Sequence, residues 1–305
     1  MNFETGLFLK KIPYAKAGSG SKKLIIFPPT HHLMWDVRVD AEEQIKGYSR
    51  FVPEGYTFYI LGYDPNLPKM HSSESIAADF AEIIKNNIGP ATIMAVSYGG
   101  SIAFPFAATY PELVEKLILI VTAYGTSGPG TEFAEQLVKL AKEGKIFTLE
   151  RKINDLYSNT IIRKLFKLKM WKDWAKKEST MNPISTFINA YEHLLATSED
   201  RRKYLSKISA PTLIIGGTAD QFASEEYYKT TANLILNSHL ELFEGETHTV
   251  IVEQFFAVKK LIRQFLEVDQ NTIRIIKNLS QKLAEMIKEN MSISKISQKL
   301  KQLTS

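Results

Sequence analysis

Along most of the chain, short apolar runs that stop at turn residues alternate with stretches whose apolar residues recur at helical spacing. A parallel neighbour in a sheet is reached only through a long crossover, which a helix supplies, so this alternation predicts an α/β fold: a mainly parallel sheet flanked by helices. Leu24-Ile25-Ile26-Phe27 is stopped by Pro28-Pro29, and the run from Tyr56 to Gly62 ends at Asp64-Pro65-Asn66. Ala91 to Val96 and Leu117 to Val121 form two more buried strands. Thr212 to Gly216 and His239 to Phe243 complete the series, separated by a helical stretch from Glu225 to Leu236. Ser73 to Asn86 reads as a helix capped by Ser72 or Ser73, with Ile76, Phe80, Ile83 and Ile84 near one face. A helix from Phe255 to Leu266 closes the body.

Residues 125–207 break the pattern, being rich in Lys, Leu and aromatics with no strand-like run. They read as a helical insertion, opened by Gly125, Gly128, Pro129 and Gly130 and closed by Ala210-Pro211. Residues 1–124 and 208–267 then make the core, and residues 268–305 a C-terminal extension. That extension repeats Ile276, Leu279, Leu283, Met286, Ile293, Ile296, Leu300 and Leu303 as an amphipathic basic helix, or two. Packing on the body, pairing with a second copy as a homodimer, and peripheral contact with a membrane surface all satisfy such a stripe. The first residues lack a charged segment feeding a long apolar run, and no stretch of about 18 apolar residues follows, so the expected location is cytoplasmic.

The formal charge of +5 is unevenly placed. Residues 151–177 hold nine basic residues against Asp155 and Asp173, a net +7, and residues 268–305 hold a net +4, which leaves the remainder at −6. A basic segment attracts anionic lipid, nucleic acid or an acidic substrate, but it is equally well a solvated helix face. No groove-reading or base-stacking motif accompanies the charge, so no nucleic-acid partner is expected. With no cysteine there is no thiolate metal site, and no phosphate loop or metal cluster is seen, so no cofactor and no metal are implied.

One segment carries chemistry. The strand Ala91–Val96 runs directly into Ser97-Tyr98-Gly99-Gly100 and then a helix through Ala107-Ala108. A sharp strand-to-helix turn with serine at its tip is a nucleophile elbow, and so tight a turn needs small residues two before and two after, here Ala95 and Gly99. The Tyr98 amide then points, with the helix N-terminus, toward developing negative charge.

From Ser97-Tyr98-Gly99-Gly100-Ser101 through Tyr110-Pro111-Glu112-Leu113 to the strand ending at Ile120, the chain resembles the α/β-hydrolase fold family, a likeness that spans residues 7–267. Ala95 in place of the commoner glycine, and Pro105 inside the helix, depart from the usual pattern. The resemblance implies a carboxylate and a histidine after later strands, and Gly216-Gly217-Thr218-Ala219-Asp220 and Gly245-Glu246-Thr247-His248 supply them in that order. It therefore implies a Ser97, Asp220, His248 triad, with residues 125–207 as a cap. His239, inside a strand, reads instead as a structural histidine.

Family members commonly follow the first of these strands with His-Gly and take a second oxyanion donor from the next amide. Here the order is Phe27-Pro28-Pro29-Thr30-His31-His32, and proline has no N–H, so the first available amides are those of Thr30 and His31, of which Thr30 is the expected donor beside Tyr98. His31 and Trp35, near the same loop, are the expected substrate contacts. With Phe133, Phe147, Phe166, Met170, Trp171, Trp174, Phe187 and Tyr191 in the cap, the implied activity is a serine hydrolase acting on a small-molecule apolar ester. A non-catalytic, receptor-like binding protein, a peptidase, an acyltransferase and a C–C hydrolase are the alternatives the same fold allows.

Overall fold

A computed structural model describes residues 2–69 and 71–267, together with Met286. Eight strands make one sheet: β1 (Phe3–Phe8), β2 (Ile12–Ala17), β3 (Lys22–Phe27), β4 (Tyr56–Leu61), β5 (Ala91–Val96), β6 (Val114–Ile120), β7 (Thr212–Gly217) and β8 (Ser238–Phe243). Their order is β1-β2-β4-β3-β5-β6-β7-β8. From β4 to β8 every pairing is parallel, while β1 and β2 run antiparallel along one edge. The chain leaves β3 for β4 on one side and returns to β5 on the other. Such a reversal opens a crevice beyond the carboxyl ends of the two strands.

The helices are α1 (His31–Met34), α2 (Ala41–Ser49), α3 (Ser73–Ile83), α4 (Tyr98–Thr109), α5 (Gly128–Lys142), α6 (Ile146–Asn154), α7 (Thr160–Ser179), α8 (Ile184–Ala196), α9 (Arg202–Leu205), α10 (Glu225–Leu234), α11 (Val250–Glu253) and α12 (Phe255–Glu267). Sheet and helices meet over the apolar runs: Leu24 to Phe27 and all of β5 are buried, as a strand covered on both faces must be. Ser72 caps α3, its hydroxyl accepting from the Ser75 amide. The helix expected to run on to Asn86 instead widens at its end into a π turn over Ile84–Ile88. The hairpin of β1 and β2 has no counterpart in the sequence pattern. His239 lies in β8 as expected, but on the sheet edge its side chain is 67% exposed, so it is no buried structural histidine.

The elements α5 to α9 fall between β6 and β7, and Met181 among them makes an isolated antiparallel bridge to Trp35. Two units divide the chain, Met1–Ile262 with the whole sheet and Arg263–Ser305, which starts within α12. The amphipathic stripe read over residues 268–305 lies, Met286 apart, outside the described residues. Among the described residues no helix is long and apolar enough to cross a membrane.

Candidate active site

Between the end of β5 and the start of α4 stands one residue, Ser97, with φ 51° and ψ −116°. A non-glycine residue holds such a conformation only where its surroundings over-determine it. Here the Ser97 N–H donates to the Ile120 carbonyl at 2.9 Å, tying the turn to the end of β6. A side chain on Gly99 would meet the Phe27 carbonyl oxygen at 2.1 Å, and one on Gly100 would strike the Thr122 hydroxyl at 2.0 Å. Two adjacent glycines thus let α4 press against the ends of β3 and β6, which leaves the serine raised at the crevice. As the first residue of α4, Tyr98 carries an N–H with no acceptor among the described residues.

Ser97 Oγ lies 2.8 Å from His248 Nε2, and His248 Nδ1 lies 3.0 and 2.9 Å from the two carboxylate oxygens of Asp220. Three side chains, Ser97 more than a hundred residues away from the other two, form one hydrogen-bonded line. Asp220 Oδ1 also accepts from the Phe222 amide at 2.8 Å, and Oδ2 from the Tyr228 phenol at 2.6 Å. Burial by itself would raise the Asp220 carboxyl, but the facing His248 and the hydrogen bonds from His248, Tyr228 and the Phe222 amide outweigh it and hold the group below its ordinary value. Burial and the adjacent carboxylate push the Tyr228 phenol well above its usual value, so it stays a donor.

Glycines make this packing possible as well. A side chain on Gly216 would fall 2.6 Å from the Tyr228 ring, and one on Gly217 would fall 2.1 Å from the Glu246 carbonyl oxygen. The pair Gly216-Gly217 therefore admits the supporting phenol on one side and the histidine loop on the other. Tyr228 and Phe222 are not singled out by sequence. The glycine pair is the one signal of them, and it says that something large must fit without saying what.

Phe222 packs on the His248 ring, centroids 4.5 Å apart, and Phe133 of α5 meets Phe222 edge-on at 5.1 Å. The Ser127 amide donates to the Phe222 carbonyl at 2.8 Å, with Gly130 so close that a side chain there would lie 2.4 Å from the same oxygen. On the far wall, Tyr191 of α8 stacks on Tyr98 at 6.1 Å, and its hydroxyl lies 2.7 Å from that of Thr30. Glu253 links the histidine loop to the segment before α7: one oxygen accepts from Thr249 Oγ1 at 2.8 Å, the other from the Asn159 amide at 2.6 Å and Ser158 Oγ at 3.0 Å. Helices α5 and α8 and the turn before α7 thus each touch the Ser97 site or its supports.

Thr30 sits where α1 begins, in helical conformation with φ −43°, and its N–H has no acceptor among the described residues. Trp35, expected at the pocket wall, is 1% exposed and enclosed in a joint. Its indole N–H donates to the Lys177 carbonyl at 2.9 Å, and His31 stacks on its ring at 4.7 Å. Fully packed and with its donor engaged, Trp35 fastens the end of α7 to the body, and His31 braces it. No cluster of three or more His, Asp or Glu side chains able to hold a metal ion occurs among the described residues.

A sequence family described as serine aminopeptidase, S33, matches residues 66–254. Mouse monoacylglycerol lipase ABHD6 is 26% identical over 200 residues, covering 63% of this chain and 60% of that protein, so the chain spans about three fifths of that relative. Proline iminopeptidase PfmaB of Pestalotiopsis fici is 26% identical over 240 residues, 72% of this chain and 85% of that protein. Epoxide hydrolase 1 of Caenorhabditis elegans is 25% identical over 286 residues, 85% of this chain and 69% of that one. Among solved structures, MGS-M2, an α/β-hydrolase enzyme from a Medee basin deep-sea metagenome library, superposes with a TM-score of 0.70 at 20% identity over 88% of this chain and 98% of its own. Esterase EaEST from Exiguobacterium antarcticum gives 0.67 at 19% identity over 84% and 96%. At those identities the two structures share the fold.

Proposed function

Because this chain belongs to the S33 serine aminopeptidase family, with the α/β-hydrolase fold, we propose that it is a serine hydrolase that cleaves carboxylic esters of apolar acyl groups through an acyl-enzyme. The observation that carries the proposal is the unbroken line from Ser97 Oγ through His248 to Asp220. His248 Nε2 takes the Ser97 proton as the oxygen attacks the acyl carbon, and returns it to the leaving alcohol. Asp220, bonded to Nδ1, keeps the imidazole in the tautomer with a free Nε2 lone pair and stabilises the cation that forms. Water, activated by the same imidazole, then releases the acyl group. The Tyr98 N–H and the Thr30 N–H receive the negative charge on the carbonyl oxygen.

Apolar side chains around the site support the substrate class. Phe133 and Phe222 beside the histidine, with Tyr98 and Tyr191 beside the serine turn, favour an apolar acyl chain over a charged one. Short to medium chain esters, monoacylglycerols among them, fit this environment. In the same proposal residues 125–207 act as a cap on a core made of residues 1–124 and 208–267. A peptidase reading draws on the family description and the fungal proline iminopeptidase.

The deciding assay offers p-nitrophenyl butyrate, a monoacylglycerol and prolyl p-nitroanilide to the full chain and to Ser97→Ala. Ester turnover and fluorophosphonate labelling that both vanish in the variant support the proposal. Cleavage of the anilide alone favours the peptidase, and labelling that survives in Ser97→Ala overturns the role of the serine.

A further inference from the structure

Helix α7 is twenty residues long, yet Met170 is its one buried residue. Asn154 of α6 reaches the Met170 sulfur at 3.3 Å, which marks the packed side. Opposite lie Ile161, Leu165, Leu168 and Trp171, at spacings of four, three and three, all exposed and with Trp171 at 68%. At 3.6 residues per turn they share one outward stripe, where a solvated helix carries polar residues. A stripe of this kind signals a partner.

Charge selects the partner. The helix holds seven basic and two acidic side chains. Lys167 pairs with Asp155 and Lys169 with Glu43, whereas Lys164, Lys172 and Lys176 have no acidic partner among the described residues. Lys164 and Lys172 stand on the same outward side as the apolar stripe. A second copy of the chain would set this positive face against itself, and residues 268–305, net +4 by sequence, would meet it with like charge. Trp and aliphatic side chains interleaved with unpaired lysines match an interface of acyl chains below anionic headgroups, where the lysine stems lie along the apolar layer and the ammonium groups reach the phosphates.

We propose that the outer face of α7 docks the protein on an anionic lipid surface. Since Trp35 and Glu253 tie the two ends of this helix to the body and the histidine loop, docking there holds the Ser97 site close to the lipid.

The test is vesicle flotation of the full chain, a readout independent of catalysis, with phosphatidylcholine alone and with phosphatidylcholine plus phosphatidylglycerol. Binding to the anionic vesicles alone is expected, weakening as salt rises. Leu165→Glu/Leu168→Glu and, separately, Lys164→Glu/Lys172→Glu should each reduce it at least about tenfold. All four side chains are solvent-facing, and matched far-UV circular dichroism and melting curves check that both variants fold. Failure of the parent chain to bind overturns the proposal, as do equal binding to neutral vesicles and unchanged binding in both variants. A dimer seen by light scattering in the parent and lost in Leu165→Glu/Leu168→Glu, without lipid binding, assigns the face to self-association instead.

Discussion

Asp220 Oδ2 accepts a 2.6 Å hydrogen bond from the Tyr228 phenol, a fully buried group on α10 that fits because Gly216 has no side chain. Tyr228→Phe removes one donor from a buried carboxylate, which costs about 1.5–3 kcal/mol of stability. The sign of its pH effect follows from Asp220. Its folded-state carboxyl lies below the ordinary value of 3.8, so its stabilisation is present above that pH and is lost as pH falls through the folded value. Without Tyr228 the carboxyl rises, and acid unfolding moves to higher pH. Urea denaturation at pH 7 and an acid titration followed by circular dichroism check both. Gly216→Ala should do the same by displacing the ring, and an unchanged acid midpoint in both variants would contradict this account.

The Thr30 amide is open to a direct test, because its conformation suits proline. The His32 N–H donates to the Pro29 carbonyl at 3.1 Å, which makes Thr30 the second residue of a turn, and its φ of −43° lies near the value that proline fixes. Thr30→Pro deletes the N–H, and Thr30→Val keeps it while removing the hydroxyl that meets Tyr191. If this amide stabilises an oxyanion, the proline variant loses about 100–1,000-fold in kcat while the valine variant changes far less. Equal losses in the two would move the role from the amide to the Tyr191 contact.

Much of this architecture was legible in the sequence because burial on both faces leaves an apolar run no ambiguity. β3, β5 and β7 lie where Leu24 to Phe27, Ala91 to Val96 and Thr212 to Gly216 predict them. The serine turn was legible for another reason, since Ala95 and Gly99 are a steric requirement written locally. Tyr228, Phe222 and Glu253 were not, because what each supports is set by distant residues packing against it. The packing of Trp35 was not legible either, for the same cause. A tryptophan beside a crevice and one inside a joint have the same neighbours in sequence, and Lys177 and Met181, which enclose it, arrive from α7 and the turn after it.

The hairpin of β1 and β2 was hidden by its turn. Leu9 and Lys10 adopt φ of 49° and 60°, and the Lys11 N–H closes on the Phe8 carbonyl at 3.0 Å. Both central residues are left-handed, a turn normally marked by Asn-Gly, and neither residue here announces it. That mismatch is stored strain of roughly 1–2 kcal/mol per residue. Leu9→Asn/Lys10→Gly should therefore stabilise the protein, raising the urea midpoint at unchanged m-value. A lowered midpoint would mean that the Leu9 contacts outweigh the turn.

Glu150, on α6, gives the helical insertion a pH dependence of opposite sign. It is buried, its carboxyl has no hydrogen-bond partner among the described residues, and burial raises it to about 7, opposed by the Lys177 charge. A carboxyl raised above its unfolded value of 4.5 adds nothing to stability while it is protonated in both states at low pH, and the folded protein loses ground as pH rises from there to the folded value near 7. Its ionisation is thus a cost, on the order of a few kcal/mol above pH 8. Glu150→Gln keeps the shape and removes the charge. Melting curves from about pH 4 to about pH 9 should show the parent falling relative to the variant between about pH 4.5 and about pH 7, with the two converging at the acid end and the gap constant above. Parallel curves would mean that Lys177 neutralises the carboxylate in the folded state, and that burial does not govern this residue.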